Sequence, residues 1–131
     1  MKTVLLYNSK SKDSLDFAQV LSQYLYDMGA EIMLCRDKPY YALDEIENVD
    51  YSSCDTAVIL GGDGTLLAAA RVFAVFGIPF FGINMGRVGF LSSAEKDEAF
   101  VALDKLILGD YNIEEKLMIK AAILDSTKSS L

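Results

Sequence analysis

The hydrophobic positions along this chain form short runs of strand length, separated by longer stretches with helical periodicity. Thr3 to Tyr7 is the first apolar run, and the polar turn Asn8-Ser9-Lys10-Ser11 closes it. Phe17, Leu21, Tyr24 and Met28 then recur at i, i+4, i+7 and i+11, which predicts an amphipathic helix with that stripe turned inward. Asp13 and Asp16 put negative charge near its start, and Gly29 suits its C-terminal cap. Further strands are predicted over Glu31 to Cys35, Thr56 to Leu60 and Pro79 to Ile83. Leu66 to Phe76 reads as a helix, and so does Asp97 to Leu108, with Phe100, Leu103 and Ile107 on one face and Gly109 ending it. Pro39 to Ser53 mixes tyrosines with acidic residues and reads as a short helix and a loop. Asn84 to Gly89 reads as a glycine-punctuated loop.

Apolar strands without strict alternation, separated by helices, are expected of a parallel sheet covered on both faces. The fold expected for residues 1–110 is therefore α/β, a doubly wound and mainly parallel sheet with helices on both faces. After Gly109 the texture changes. Leu117 to Leu124 is a strand-like run behind an acidic turn, with nothing evident to pair with. Residues 111–131 read as the start of a second, β-rich domain. Internal repeats are absent.

Composition narrows the chemistry. With 131 residues, 52% of them hydrophobic and 24% charged, the chain has enough apolar material for a core, which excludes wholesale disorder. There is no histidine, so histidine triads and histidine metal sites are excluded from what these residues do by themselves. Twelve Lys+Arg against 19 Asp+Glu give a net charge of −7, and no basic stripe offsets it. Lys10 and Lys12 are separated from Arg36 and Lys38 by a whole helix, so neither nucleic acid nor an anionic membrane is an expected partner. The two cysteines, Cys35 and Cys54, sit in apolar settings and read as free thiols in a reducing cytosol; the sequence leaves a disulfide between them open. The N-terminal apolar run is too short for a secretory signal. Leu66 to Ile83 is interrupted by Arg71 and by Gly77-Ile78-Pro79, so a helix and a strand explain it better than a membrane span. A cytoplasmic protein is expected.

Gly61-Gly62-Asp63-Gly64-Thr65 follows a buried strand and precedes a helix, the place where ligands bind in open α/β sheets. Its glycines permit positive φ and close approach of a ligand, and the helix N-terminus suits a phosphate. The spacing matches neither a Walker A loop nor a dinucleotide-binding G-x-G-x-x-G. Asp63 opposes an anion, so it makes sense as a base for an attacking hydroxyl or as a holder of Mg²⁺ beside phosphates. The alternative is a tight turn in which Asp63 or Thr65 only caps the helix. On the pentapeptide alone both readings stand. A second cluster, Gly82-Ile83-Asn84-Met85-Gly86-Arg87-Val88-Gly89-Phe90-Leu91, follows the next strand, so its glycines should reach the same sheet edge. Asn84 there either contacts a ligand or stabilises the turn, and Gly89-Phe90 offers backbone and an aromatic face.

These two clusters, with Ala69-Ala70-Arg71-Val72 between them, resemble the NAD kinase family in order and spacing. The pentapeptide is shared with diacylglycerol and sphingosine kinases and, in a near form, with phosphofructokinases. The Asn-x-Gly-x-x-Gly-Phe-Leu continuation resembles NAD kinases more specifically, and Val88 stands where that family usually has leucine. The resemblance implies transfer of the γ-phosphoryl of ATP, or of polyphosphate, to the 2′-hydroxyl of the adenosine ribose of NAD. It implies Asp63 as the base, and Gly61, Gly62, Gly64, Thr65, Asn84, Gly89 and Phe90 as nucleotide-binding residues. It also implies Mg²⁺ accompanying ATP, no tightly bound prosthetic group and no protein-held metal, and a homo-oligomer for the full-length protein. Family members continue into a β-rich domain with an Asn-Asp/Glu pair and a Gly/Thr-rich segment, neither of which occurs here. The expectation is an N-terminal half with little activity alone. A lipid or sugar kinase of the same superfamily, or a non-catalytic nucleotide-binding domain, are the rival expectations.

Overall fold

The computed structural model describes residues 1–36, 51–86 and 94–111, with two short strands at 123–124 and 129–130. Five strands make one sheet: β1 (Lys2–Tyr7), β2 (Glu31–Arg36), β3 (Thr56–Gly61), β4 (Phe80–Asn84) and β5 (Ala94–Glu95). All pairings are parallel and the order is β2-β1-β3-β4-β5. The direction of winding reverses between β1 and β3, which makes the crevice above their carboxyl ends the expected place for a ligand.

Among the described residues three α-helices cover the sheet: α1 (Lys12–Asp27), α2 (Asp63–Phe73) and α3 (Ala99–Leu108). Successive strand residues face opposite sides, and each side has its own core. Val4, Leu6, Ala57 and Ile59 pack with Leu66, Ala69 and Phe73 of α2. Leu5, Val58, Leu60 and Ile83 pack with Leu21 and Leu25 of α1 and Leu103 of α3. Covered on both faces and flanked by β1 and β4, β3 has all six residues buried. That explains its unbroken apolar sequence. The doubly wound parallel sheet read from the sequence is the fold observed.

Two helices are rotated from expectation. The buried residues of α1 are Ser14, Ala18, Leu21 and Leu25, whereas Met28 is 48% exposed. Small residues let α1 lie close to the sheet, and the larger Phe17 and Tyr24 are displaced to its flank. There they meet Phe100 of α3 edge-on, with ring centroids at 6.1 and 5.0 Å. Phe100 is accordingly a groove filler, while Ala99, Leu103 and Leu106 form the buried face of α3. Ser11 caps α1 by accepting a hydrogen bond from the Ser14 N–H at 3.2 Å. Asp13 lies in the first turn, but Asp16, expected with it, lies beyond. Gly29 and Gly109 take φ of +89° and +74° after their helices, as expected of C-terminal glycines.

On the α2 side, Tyr51 stacks edge-on to Phe73 and Phe76 at 5.0 and 5.6 Å. Its hydroxyl lies 4.0 Å from the Cys35 sulfur. Neither cysteine is in a disulfide; Cys54 is buried and Cys35 half-buried. Pro39 to Asp50 lies outside the described residues, as does most of Leu117 to Leu124. Its last two residues, Ile123–Leu124 (β6), pair antiparallel with Ser129–Ser130 (β7). The expected unpaired strand therefore has a partner, from a polar tail whose serines carried no strand pattern.

Phe73 is wholly buried, so Phe73→Ala is expected to cost about 3–5 kcal/mol in urea unfolding. Leu108→Ala, at a side chain 80% exposed, should change stability by no more than about 0.5 kcal/mol. Burial, followed by the Cys35 thiol, pushes the Tyr51 hydroxyl above its ordinary value of 10.0. The hydrogen bond that Tyr24 donates to Asp104, then burial and that carboxylate's charge, raise Tyr24 as well. The folded state thus holds these protons more tightly than the unfolded chain. Their contribution is intact below about pH 10 and is lost as pH rises above it. Tyr51→Phe should flatten the fall in urea midpoint between about pH 9 and about pH 11.

Candidate functional site

The carboxyl end of β3 runs almost directly into α2. Gly61 is the last strand residue and Asp63 the first helical one, so Gly62 alone makes the connection. The helix begins three residues earlier than its hydrophobic pattern predicts. Asp63, Gly64 and Thr65, read as loop, form its first turn. The Leu66 N–H is bonded back to the Gly62 carbonyl at 3.1 Å.

The glycines serve differently from what was expected. None of Gly61, Gly62 and Gly64 has positive φ; Gly62 is extended, at φ −106° and ψ −166°. What they supply is the absence of a side chain, for two distinct purposes. A Cβ on Gly61 would lie 2.6 Å from Thr65 Oγ1 and 2.7 Å from Thr65 Cβ, so Gly61 is where α2 rests on the sheet. Gly82 of β4 does the same for Leu66, whose Cδ1 would be 2.8 Å from an added Cβ. Gly62 and Gly64, by contrast, have nothing within 4 Å of a would-be Cβ and are exposed. They leave open space on both sides of Asp63.

Asp63 is half-buried and sits in the first turn, where negative charge is favourable and backbone N–H groups point outward. Neither Asp63 nor Thr65 occupies the N-cap position. Gly62 holds it, with Asp63 and Thr65 inside the helix.

The two glycine clusters do meet at one edge. Gly61 of β3 stands in register with Asn84 of β4, and Asn84 with Glu95 of β5. The Met85 N–H donates to the Gly61 carbonyl at 3.3 Å, extending the ladder past the strand end. Asn84 is buried, and its Oδ1 accepts the Gly86 N–H at 3.3 Å, so it stabilises the turn leaving β4. Gly89 and Phe90, with Arg87, Val88 and Leu91, lie outside the described residues.

Beside this edge, on the α1 side, is an open cleft of about 510 Å³ lined by Phe17, Asn84, Met85, Gly86, Glu95, Lys96 and Asp97. The Lys96 ammonium lies 5.1 Å from the centre of the Phe17 ring. Only Asn84 of this lining was among the residues expected. Phe17 read as helix core and Asp97 as the first residue of a helix. No local pattern marks them, because their convergence depends on β5 pairing with β4. Asp63 does not line this cleft. Among the described residues no group of three or more His, Cys, Asp or Glu is placed to hold a metal, and no helix is long and apolar enough to cross a membrane.

A parallel, doubly wound sheet with an acidic residue opening the helix after its central strand defines an α/β domain with its candidate chemistry at the carboxyl edge. Residues 5–111 match the family model for the ATP-NAD kinase N-terminal domain. The chain belongs to the NAD kinase family. It is 51% identical over 70 residues to a NAD kinase of Heliobacterium modesticaldum, covering 53% of this chain and 25% of that protein. A NAD kinase of Thermoanaerobacter sp. is 45% identical over 74 residues, 56% of this chain and 26% of its own length. One from Clostridium botulinum is 33% identical over 121 residues, 92% of this chain and 42% of its own. The alignments thus span between 25% and 42% of these curated relatives.

The open surroundings of Gly64 give a stability test. Gly64→Ala should stabilise the chain by about 0.4–1 kcal/mol in thermal unfolding, because it restricts the unfolded chain and meets no neighbour in α2.

Proposed function

We propose that this domain works in a NAD kinase, transferring the γ-phosphoryl of ATP to the 2′-hydroxyl of the adenosine ribose of NAD to give NADP and ADP. The observation that carries the proposal is Asp63, an acid at the first position of α2 with open backbone at Gly62 and Gly64 on either side. In this reading the Asp63 carboxylate takes the proton of the 2′-hydroxyl while that oxygen bonds to the γ-phosphorus. The bond from the γ-phosphorus to the β–γ bridging oxygen breaks, and ADP departs with that electron pair. Such transfers depend chiefly on positioning and charge neutralisation, with a base orienting the nucleophile. Gly62 and Gly64 give the reacting groups access to the backbone. Gly89 and Phe90 belong to the nucleotide pocket by resemblance.

The donor set suits magnesium that arrives with ATP. One carboxylate stands at the helix N-terminus, and no three-ligand cage occurs among the described residues. Mg²⁺ commonly binds through one or two carboxylates plus substrate phosphates. When bound, it would neutralise phosphate charge, and Asp63 is a carboxylate of this edge that would face it. Polyphosphate is an alternative donor under the same proposal. A cytoplasmic setting and a homo-oligomeric complete kinase go with it.

Activity on this reading belongs to a longer polypeptide, since the relatives named NAD kinase are more than twice the length of their match to this chain. The 131-residue chain, assayed with ATP, Mg²⁺ and NAD, should form little or no NADP. Robust NADP formation by it would refute the division of the active site. In the complete kinase, Asp63→Asn should lower kcat by about 10²–10⁴-fold with KM for NAD nearly unchanged. Unaltered turnover would remove Asp63 from the chemistry and leave a non-catalytic nucleotide-binding domain. Turnover of a lipid or sugar hydroxyl in preference to NAD would favour the wider superfamily instead.

A further inference from the structure

We infer that Gly61 and Gly82 are positioning residues: together they form a side-chain-free seat on two adjacent strands that holds the first turn of α2 against the sheet and so fixes where Asp63 stands. The inference rests on the reading of Asp63 as the base. It departs from the view of Gly61 and Thr65 as ligand-contacting members of the glycine motif.

Four observations carry it. Gly61 is the last residue of β3, and its added Cβ would meet Thr65 Oγ1, Cβ and Cγ2 at 2.6, 2.7 and 3.0 Å. Real Cβ atoms do not approach others that closely, and Thr65 Cβ cannot rotate away because it is fixed to the helix backbone. Gly82, on neighbouring β4, would meet Leu66 Cδ1, Cδ2 and Cγ at 2.8, 3.1 and 3.3 Å. Leu66 is buried in the core beneath α2, so its isobutyl group has little room to yield. The register places Gly82 opposite Ile59, two residues before Gly61 along β3. The two contacts are therefore offset along the sheet, and they seat consecutive helix residues, Thr65 and Leu66, just after Asp63.

Two contacts at different points set both the height and the tilt of the helix start. With Gly62 as the sole connecting residue, the backbone has no slack to absorb a displacement. A methyl at Gly61 must lift or rotate the first turn, and Asp63 moves with it; a methyl at Gly82 must displace the Leu66 side chain that supports the same turn. Misplacement of a reacting group by about 1 Å can cost about 10²-fold in rate. Gly62 and Gly64, which touch nothing, lack this role. The motif thus contains two kinds of glycine, one kind for seating the helix and the other for access.

Steady-state kinetics of the complete kinase tests this. Gly61→Ala should lower kcat by about 10–100-fold with KM for NAD and ATP within about threefold. The double variant Gly61→Ala/Thr65→Gly, which removes Thr65 Cβ, should return kcat to within about threefold of Thr65→Gly alone. Gly61→Ala/Thr65→Ala should not recover, because the obstructing Cβ remains. Gly82→Ala gives a second, independent arm, with Leu66→Ala as its relieving partner, and serves where a Gly61 variant fails to fold. Amide shifts of Gly62 to Leu66, followed by NMR in the 131-residue chain, should move in Gly61→Ala and return towards those of Thr65→Gly in the double variant.

A rise confined to KM, with kcat unchanged, would mean that Gly61 contacts the ligand, and would overturn the inference. So would unchanged kcat in both single variants, or failure of both Gly61→Ala/Thr65→Gly and Gly82→Ala/Leu66→Ala to recover. The Asp63→Asn variant separates the two readings. If it is inactive while Gly61→Ala and Gly82→Ala keep full kcat, only the positioning inference falls. If it keeps full turnover, the base reading falls first and the inference with it.

Discussion

The contact on which the site depends is the one between the first turn of α2 and the bare backbone of two strands. Helices normally pack on a sheet through a layer of side chains. At Gly61 and Gly82 that layer is missing, and Thr65 and Leu66 occupy its place. The close approach brings the start of α2 down onto the carboxyl edge of β3. It also permits a one-residue connection, for a longer one would be needed to reach a helix standing further off. Asp63 is held at the edge by this geometry, while Gly62 and Gly64 keep its surroundings clear.

Around that contact the domain is organised in two cores divided by the sheet. The α2 side is aromatic, with Tyr51, Phe73 and Phe80 meeting edge-to-face, and it backs the helix that carries Asp63. The α1 and α3 side is mainly aliphatic and small, and its aromatic residues lie in the groove between the helices. β3 belongs to both cores at once. Its complete burial anchors the strand whose carboxyl end supplies the glycine junction, so a fully packed strand lies directly beneath the candidate chemistry.

The expected elements follow from residue patterns because each depends on local information. Runs such as Thr56 to Leu60 are too short and too apolar to be surface helices, and glycines after Met28 and Leu108 mark helix ends. The boundary that mattered most was the one least visible. Gly64 has low helix propensity, and two glycines precede Asp63, so the segment reads as loop. Docking of Thr65 and Leu66 onto the sheet overrides that propensity. The buried face of α1 differs from its hydrophobic stripe for a related reason. Periodicity weights Phe17 and Tyr24 by size, but close packing on a sheet favours Ser14 and Ala18, and the large rings move aside.

Residue patterns alone gave the α/β class of fold, the two glycine clusters and Asp63 as the candidate residue within the first of them. These are properties of periodicity, residue type and spacing, which are local. The tertiary structure decided the strand order, the alignment of Gly61 with Asn84 and Glu95, and the convergence of Phe17 and Lys96 at the cleft. It also decided which glycines seat a helix and which leave space, because that depends on what lies within 4 Å of a missing side chain, and those neighbours come from α2 packing across β3 and β4.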